Sequence, residues 1–211
     1  MPDQAKIKKT PEALAREMEM AVNEALEESA GLVARGNLTG ALEQGKEAIK
    51  KERALVRFLE EKELTDTMLN TDLTFAVQFH LGDVLSRNGL LSEALTVYQT
   101  MLKDKSFQSV ARVRVNMGNV HFERGEYAKA IRMWRMAVDQ LPNTSRELRG
   151  QVQRNIALAF VRAGQLGDAL QQFEQAMEHA PSHVAGYNLV VCAYAAGDRE
   201  RMKAAFQMLM Q

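Results

Sequence analysis

The side chains of this 211-residue chain that could do chemistry are four histidines, one cysteine and a large set of carboxylates. Histidine and cysteine make metal sites when they cluster at short, fixed spacings, and a histidine beside a carboxylate can move protons. Here His80, His121, His179 and His183 are scattered, and Cys192 stands alone. His179 and His183 are four residues apart, but Pro181 lies between them and breaks the register that would put both on one helix face. They read as a surface pair. No His-Glu-x-x-His, phosphate loop, dinucleotide fingerprint or Gly-x-Ser-x-Gly occurs. The carboxylates fall mostly on helix-forming stretches, as Glu60, Glu61 and Glu63 do, and read as solvated faces. The expectation is a chain with no catalytic residue, no metal, no cofactor and no small-molecule substrate.

Composition points the same way. The chain is 46% hydrophobic and 26% charged, with four prolines, and is long enough for a sizeable core. The formal net charge is zero, so nothing in bulk pulls it toward nucleic acid or an anionic membrane. The basic stretch is also not organised as an RNA-reading repeat code. That zero hides a dipole: thirteen acids face eight bases from Glu12 to Asp66, and ten bases face four acids from Arg112 to Arg162. Either these are two solvated faces of opposite bias, or the basic half meets an acidic partner segment. A single cysteine allows no disulfide framework and implies a reducing compartment. No apolar run approaches the roughly 18 residues of a membrane span. Met1 to Lys6 lacks the apolar segment of a secretory signal, and residues 1–10 are expected to be a disordered tail. Asn37-Leu38-Thr39 and Asn143-Thr144-Ser145 are then chance matches to the glycosylation pattern.

The elements themselves repeat. Gly82-Gly89-Ala94-Tyr98, Gly118-Gly125-Tyr127-Ala130-Trp134-Ala137-Pro142 and Ala157-Gly164-Leu166-Ala169-Phe173-Ala176-Pro181 share one set of internal offsets. The order is small residue, Gly, Ala and aromatic, usually then Ala and Pro. This is the signature of the tetratricopeptide repeat, a pair of antiparallel helices about 34 residues long. The fold expected is all-α, a right-handed superhelical solenoid of about five helix pairs, and such solenoids bind partners on a concave surface. Within a pair, Gly118 and Ala130 are small where the helices cross. Gly125 closes the first helix with a left-handed residue, and Pro142 ends the second. Tyr127 and Trp134 are expected between neighbouring repeats.

Residues 11–69 read as a degenerate first repeat, with Ser29 at the small position, Gly36, Leu38, Ala41 and Ala48 at the offsets, and a long second helix running on through Glu63. Leu64 to Asp72 reads as a loop, with Thr71 or Asp72 capping the next helix. Residues 70–211 form the array proper, with units near 75–108, 111–144, 150–182 and 183–211. Asn143 to Glu147 lengthen either a turn or the next helix. The last unit keeps Gly197 and Phe206 but has Arg199 and Met202 where Tyr and Ala are usual. Its apolar end, Phe206 to Met210, suits either a further packed repeat of a longer chain or a docking site.

In this repeat class the first helix of each pair lines the groove. The candidate partner-binding residues are Phe79, Asp83 and Arg87 of the second unit, then Arg112, Asn119 and Phe122 of the third. Arg154 and Arg162 of the fourth and Tyr187 and Tyr194 of the fifth complete the set. The groove would be mixed polar and basic in the middle and aromatic toward the C-terminal end. That suits a peptide or helix with acidic and apolar residues. Tyr187 and Tyr194 are equally readable as packing against a further repeat. Asn116, Asn155 and Asn188 share one template position and read as structural bonds to neighbouring helices. Chaperone-binding members of the class hold a C-terminal carboxylate with Lys and Asn at set positions. Asn116 and Asn119 fit such a clamp, but Phe79 stands where its Lys should be and Asp83 where an Asn is expected.

A narrower resemblance lies inside the repeats. Asn70-Thr-Asp-Leu-Thr-Phe-Ala-Val, Val115-Asn-Met-Gly-Asn-Val, Tyr127-Ala-Lys-Ala-Ile and Arg135-Met-Ala-Val-Asp-Gln-Leu-Pro142 resemble the intraflagellar transport protein 88 family. So do Ala185-Gly-Tyr-Asn-Leu and Gly197-Asp-Arg-Glu-Arg-Met-Lys-Ala-Ala-Phe206. The departures at Arg199 and Met202 are part of that resemblance, which runs over about residues 70–210. It implies a non-catalytic subunit of transport complex B, acting in cilium or flagellum assembly. The implied partners are other complex B subunits, including subunit 52 and the paired subunits 38 and 57. The implied location is the cytoplasm, the cilium or flagellum and the basal body. The competing expectation is a cytosolic repeat adaptor or co-chaperone that reads short peptide motifs.

Overall fold

Thr10 opens the first helix: its hydroxyl accepts from the Ala13 amide, and Pro11 fills the first helical position, where no donor is needed. In the computed structural model, which describes residues 9–108 and 110–210, this helix (α1) spans Pro11–Ala34. Ten further helices follow among the described residues. They are α2 (Leu38–Glu61), α3 (Thr65–Met68), α4 (Thr71–Arg87), α5 (Leu91–Lys103), α6 (Ala111–Glu123) and α7 (Tyr127–Gln140). Then come α8 (Arg146–Arg162), α9 (Leu166–His179), α10 (His183–Ala195) and α11 (Arg199–Leu209). The expected disordered tail falls mostly outside the described residues. The five antiparallel pairs are α1 with α2, α4 with α5, α6 with α7, α8 with α9, and α10 with α11.

Each pair closes on a glycine. Gly125 has φ 73°, a left-handed value that costs a residue without Cβ nothing, and Gly36, Gly89, Gly164 and Gly197 repeat it. The chain then reverses so tightly that the second helix begins two residues later. The helices group into two compact units, one up to Gln108 and one after it.

In the first unit, Ala15, Val22 and Ala25 of α1 pack with Ala48, Leu55 and Leu59 of α2 and with Leu73 and Val77 of α4. The long α2 presents Ala41, Gly45, Ala48, Glu52, Leu55 and Leu59 at helical spacing, so one stripe of it is buried. Three local expectations are corrected here. The helix ends at Glu61 rather than running through Glu63, whose φ of 54° turns the chain. The expected loop contains the one-turn helix α3. The cap of α4 is Asn70, whose Oδ1 accepts from the Leu73 amide, and not Thr71 or Asp72. Asn satisfies the same orphan donor one residue earlier.

In the second unit, Trp134, Val152, Ile156, Phe160, Leu170, Phe173 and Leu189 form one core. The segment Asn143 to Glu147 divides between a turn and the first turn of α8. The first turn of α8 carries Arg146 and Arg149. Arg149 Nη1 donates to the carbonyls of Val138 and Leu141 at 3.1 and 2.6 Å, and Arg146 Nη2 donates to that of Glu178 at 3.2 Å. Guanidinium groups thus serve the last carbonyls of α7 and α9, where negative partial charge gathers.

Candidate partner-binding surfaces

The small residues of the template have a direct cause. A Cβ added to Gly118 would stand 2.3 Å from Trp134 Nε1, and one added to Gly82 would stand 2.4 Å from a carbon of the Tyr98 ring. The aromatic of the second helix therefore lies on the small residue of the first, within its own pair. Trp134 also belongs to the core shared with α8 and α9, so it fills both the crossing and the space beyond it. Its indole N–H donates to the carbonyl of Val115 at 3.0 Å and to Asn119 Oδ1 at 3.2 Å. Tyr127 packs on Phe122 of its own pair, with ring centroids 5.5 Å apart.

Two candidate residues are positioned by this arrangement. Asn119 is oriented by the indole, and Phe122 rests on Trp134 with centroids 5.9 Å apart. Together with Glu123, Asn155 and Leu158 they line a hollow of about 300 Å³ between α6 and α8. Elsewhere on the candidate surface Asp83 accepts from Arg87 Nε at 2.7 Å, so those two residues answer each other. Phe79 is half-buried, stacked on Phe75 at 5.6 Å and tilted against Tyr98 at 6.1 Å. Arg112 and Arg162 are exposed and Arg154 is half-buried.

Helix α10 is apolar nearly all round. Its inner side, Ala185, Leu189, Cys192 and Ala193, is buried. Its outer side leaves Val184, Tyr187, Val191 and Tyr194 exposed by 56, 62, 46 and 76%. Their spacing of three, four and three residues makes a single stripe. Phe206, Met208 and Met210 are also largely exposed at the end of α11.

The titratable groups that bend away from their ordinary values are tied to the fold. Ser29 sits at the α1–α2 crossing, fully buried, and donates its one hydroxyl proton to the carbonyl of Ala41 at 2.7 Å. It must then accept from His80 Nε2–H, 2.8 Å away, which assigns the histidine tautomer. Burial pushes the His80 pKa down, with Asp83 opposing and Arg87 adding to the fall. His121 Nδ1 lies 2.7 Å from Glu126 Oε2 at the α6–α7 turn, and Arg124 and Lys129 reach the same carboxylate. That hydrogen bond first, then Lys129 and Arg124, holds Glu126 below the usual carboxylate range. Among the described residues no group of three or more His, Cys, Asp or Glu is placed to hold a metal ion. No described helix is long and apolar enough to cross a membrane.

Residues 109–182 match the tetratricopeptide repeat family model. Along 99% of its length the chain is 43% identical to the intraflagellar transport protein 88 homolog of Homo sapiens. It is a tetratricopeptide-repeat chain resembling intraflagellar transport protein 88. It spans about a quarter of that relative's length. Solved structures agree on the fold. Repeats of a kinesin light chain-like protein from Podosopora anserina superpose with a TM-score of 0.66 at 15% identity, covering 91% of this chain and 94% of theirs. A tetratricopeptide repeat protein from Parabacteroides merdae gives 0.64 at 22% identity, covering 90% and 66%. MamA from Desulfovibrio magneticus gives 0.65 at 16%, covering 90% and 93%. The expected all-α tetratricopeptide solenoid is the fold of this chain.

Proposed function

We propose that this chain is a non-catalytic scaffold of intraflagellar transport, holding other complex B subunits during cilium or flagellum assembly. The observation that carries the reading is the identity to the human relative, which extends over both units and not only over the repeat consensus. The cellular setting that follows is the cytoplasm, the basal body and the cilium. The groove residues supply the chemistry of recognition. Arg112, Arg154 and Arg162 offer cations, Asn119 and Phe122 border a hollow, and Tyr187 and Tyr194 offer amphipathic rings. A partner segment with acidic and apolar residues answers all three. The peptide-terminus adaptor finds less support, because Phe79 is packed into an aromatic stack and Asp83 is an acid paired with Arg87.

A tagged pull-down of residues 1–211 from ciliated-cell extract, read by mass spectrometry, tests the assignment. Complex B subunits are the expected recovery, and chaperones alone would overturn it. The groove is tested with Arg154→Glu and Arg162→Glu. Binding of the recovered subunit should weaken by about tenfold or more while helicity is kept. Unchanged affinity would place the interface elsewhere.

A further inference from the structure

Glu52 breaks the apolar stripe of α2. It occupies a core position, between Ala48 and Leu55 at helical spacing, and is only 4% exposed. A buried carboxylate is ordinarily matched by a cation. Among the described residues Glu52 makes no salt bridge. Burial raises its pKa above the ordinary carboxylate value, with the Thr74 side chain on α4 and then Arg53 opposing. The carboxylate lines an open hollow of about 430 Å³ in the first unit. Val56, Leu69 and Phe107 supply apolar walls. Glu60 and Asp104 add acid at the rim, and Arg53 and Arg57 stand there too. Asp104 accepts from Ser106, and Arg53 acts on Glu52 only as a nearby charge, forming no salt bridge with it among the described residues.

We propose that this hollow is a subsite for the side chain of an arginine on a partner protein, with Glu52 receiving the guanidinium and Val56, Leu69 and Phe107 covering its stem. A planar fork suits a carboxylate, and a long aliphatic stem suits a hollow with apolar walls and an acidic floor. The surplus of acids from Glu12 to Asp66 draws such a partner toward this unit. The site differs from the groove reading in both place and sign, so either can fail without the other.

The test is an NMR titration of the 211-residue chain with N-acetyl-arginine amide, using N-acetyl-citrulline amide as the neutral isostere. Arginine amide should shift amides around Glu52 and Thr74 and move the Glu52 carboxyl titration to lower pH, and citrulline should do neither. Glu52→Gln keeps the shape and a polar group beside Thr74 but removes the charge, and it should abolish the arginine shifts while the thermal midpoint holds or rises. Equal shifts with citrulline, or arginine shifts that survive Glu52→Gln, would overturn the subsite. Equal response to N-acetyl-lysine amide would overturn the preference for a guanidinium.

Discussion

At the scale of single residues, Trp134 explains why its own pair tolerates only glycine at position 118. An alanine Cβ there would enter the indole ring, so Gly118→Ala should cost about 1–3 kcal/mol, read as a lower urea midpoint. Adding Trp134→Phe should restore part of that loss, because the next pair carries Ala157 and Phe173 at the equivalent places, both fully buried. A double variant no more stable than Gly118→Ala alone would remove the ring as the cause. Glu52 gives a pH signature. The folded state binds its proton more tightly than the unfolded chain, whose carboxyl titrates near 4.5. Between that value and the raised folded one, stability falls as pH rises. Comparing stability across this range, Glu52→Gln should flatten that part of the profile. His80 and Glu126 act oppositely. Their folded values are depressed, so their stabilisation is present above about 6.5 and 4.5 respectively and is lost as pH falls below them.

At the scale of elements, the cap predictions follow from named bonds. Asn70→Ala should cost about 1 kcal/mol by freeing the first turn of α4. Arg149→Ala, which strips the carbonyls of Val138 and Leu141, should cost about 1–2 kcal/mol. Both are read by chemical denaturation. These elements also show what a sequence can and cannot tell. The helix pairs, their closing glycines and the aromatic offsets were legible because each reports a local backbone or crossing requirement. The one-turn α3 and the Asn70 cap were not, since Asn, Thr and Asp all cap well and the choice among them depends on where the preceding turn ends. Among the proposed groove residues, template offsets pick out Asn119 and Phe122, but their tie to Trp134 depends on an indole N–H that offsets alone do not orient. Glu52 had a readable signal, a carboxylate on the buried register of α2, although the hollow beside it is built by α4 and by the segment after α5, far along the chain.

At the scale of the whole molecule, each unit has its own apolar core. Repeat arrays draw stability from nearest-neighbour packing, so the chain from residue 109 onward should fold alone. Circular dichroism of that portion should show a helical spectrum with a cooperative melt, and a featureless unfolded spectrum would refute its independence. The single thiol turns the same packing into a clock. Cys192 is buried in α10, its Sγ lies 3.8 Å from the carbonyl of Leu166 at the start of α9, and burial raises its pKa. A reagent such as a disulfide dye therefore waits for the α9–α10 contact to part. Its labelling rate measures how often that seam breathes, and in an array whose repeats hold only their neighbours, a bound partner across the seam would be felt as a slower tick.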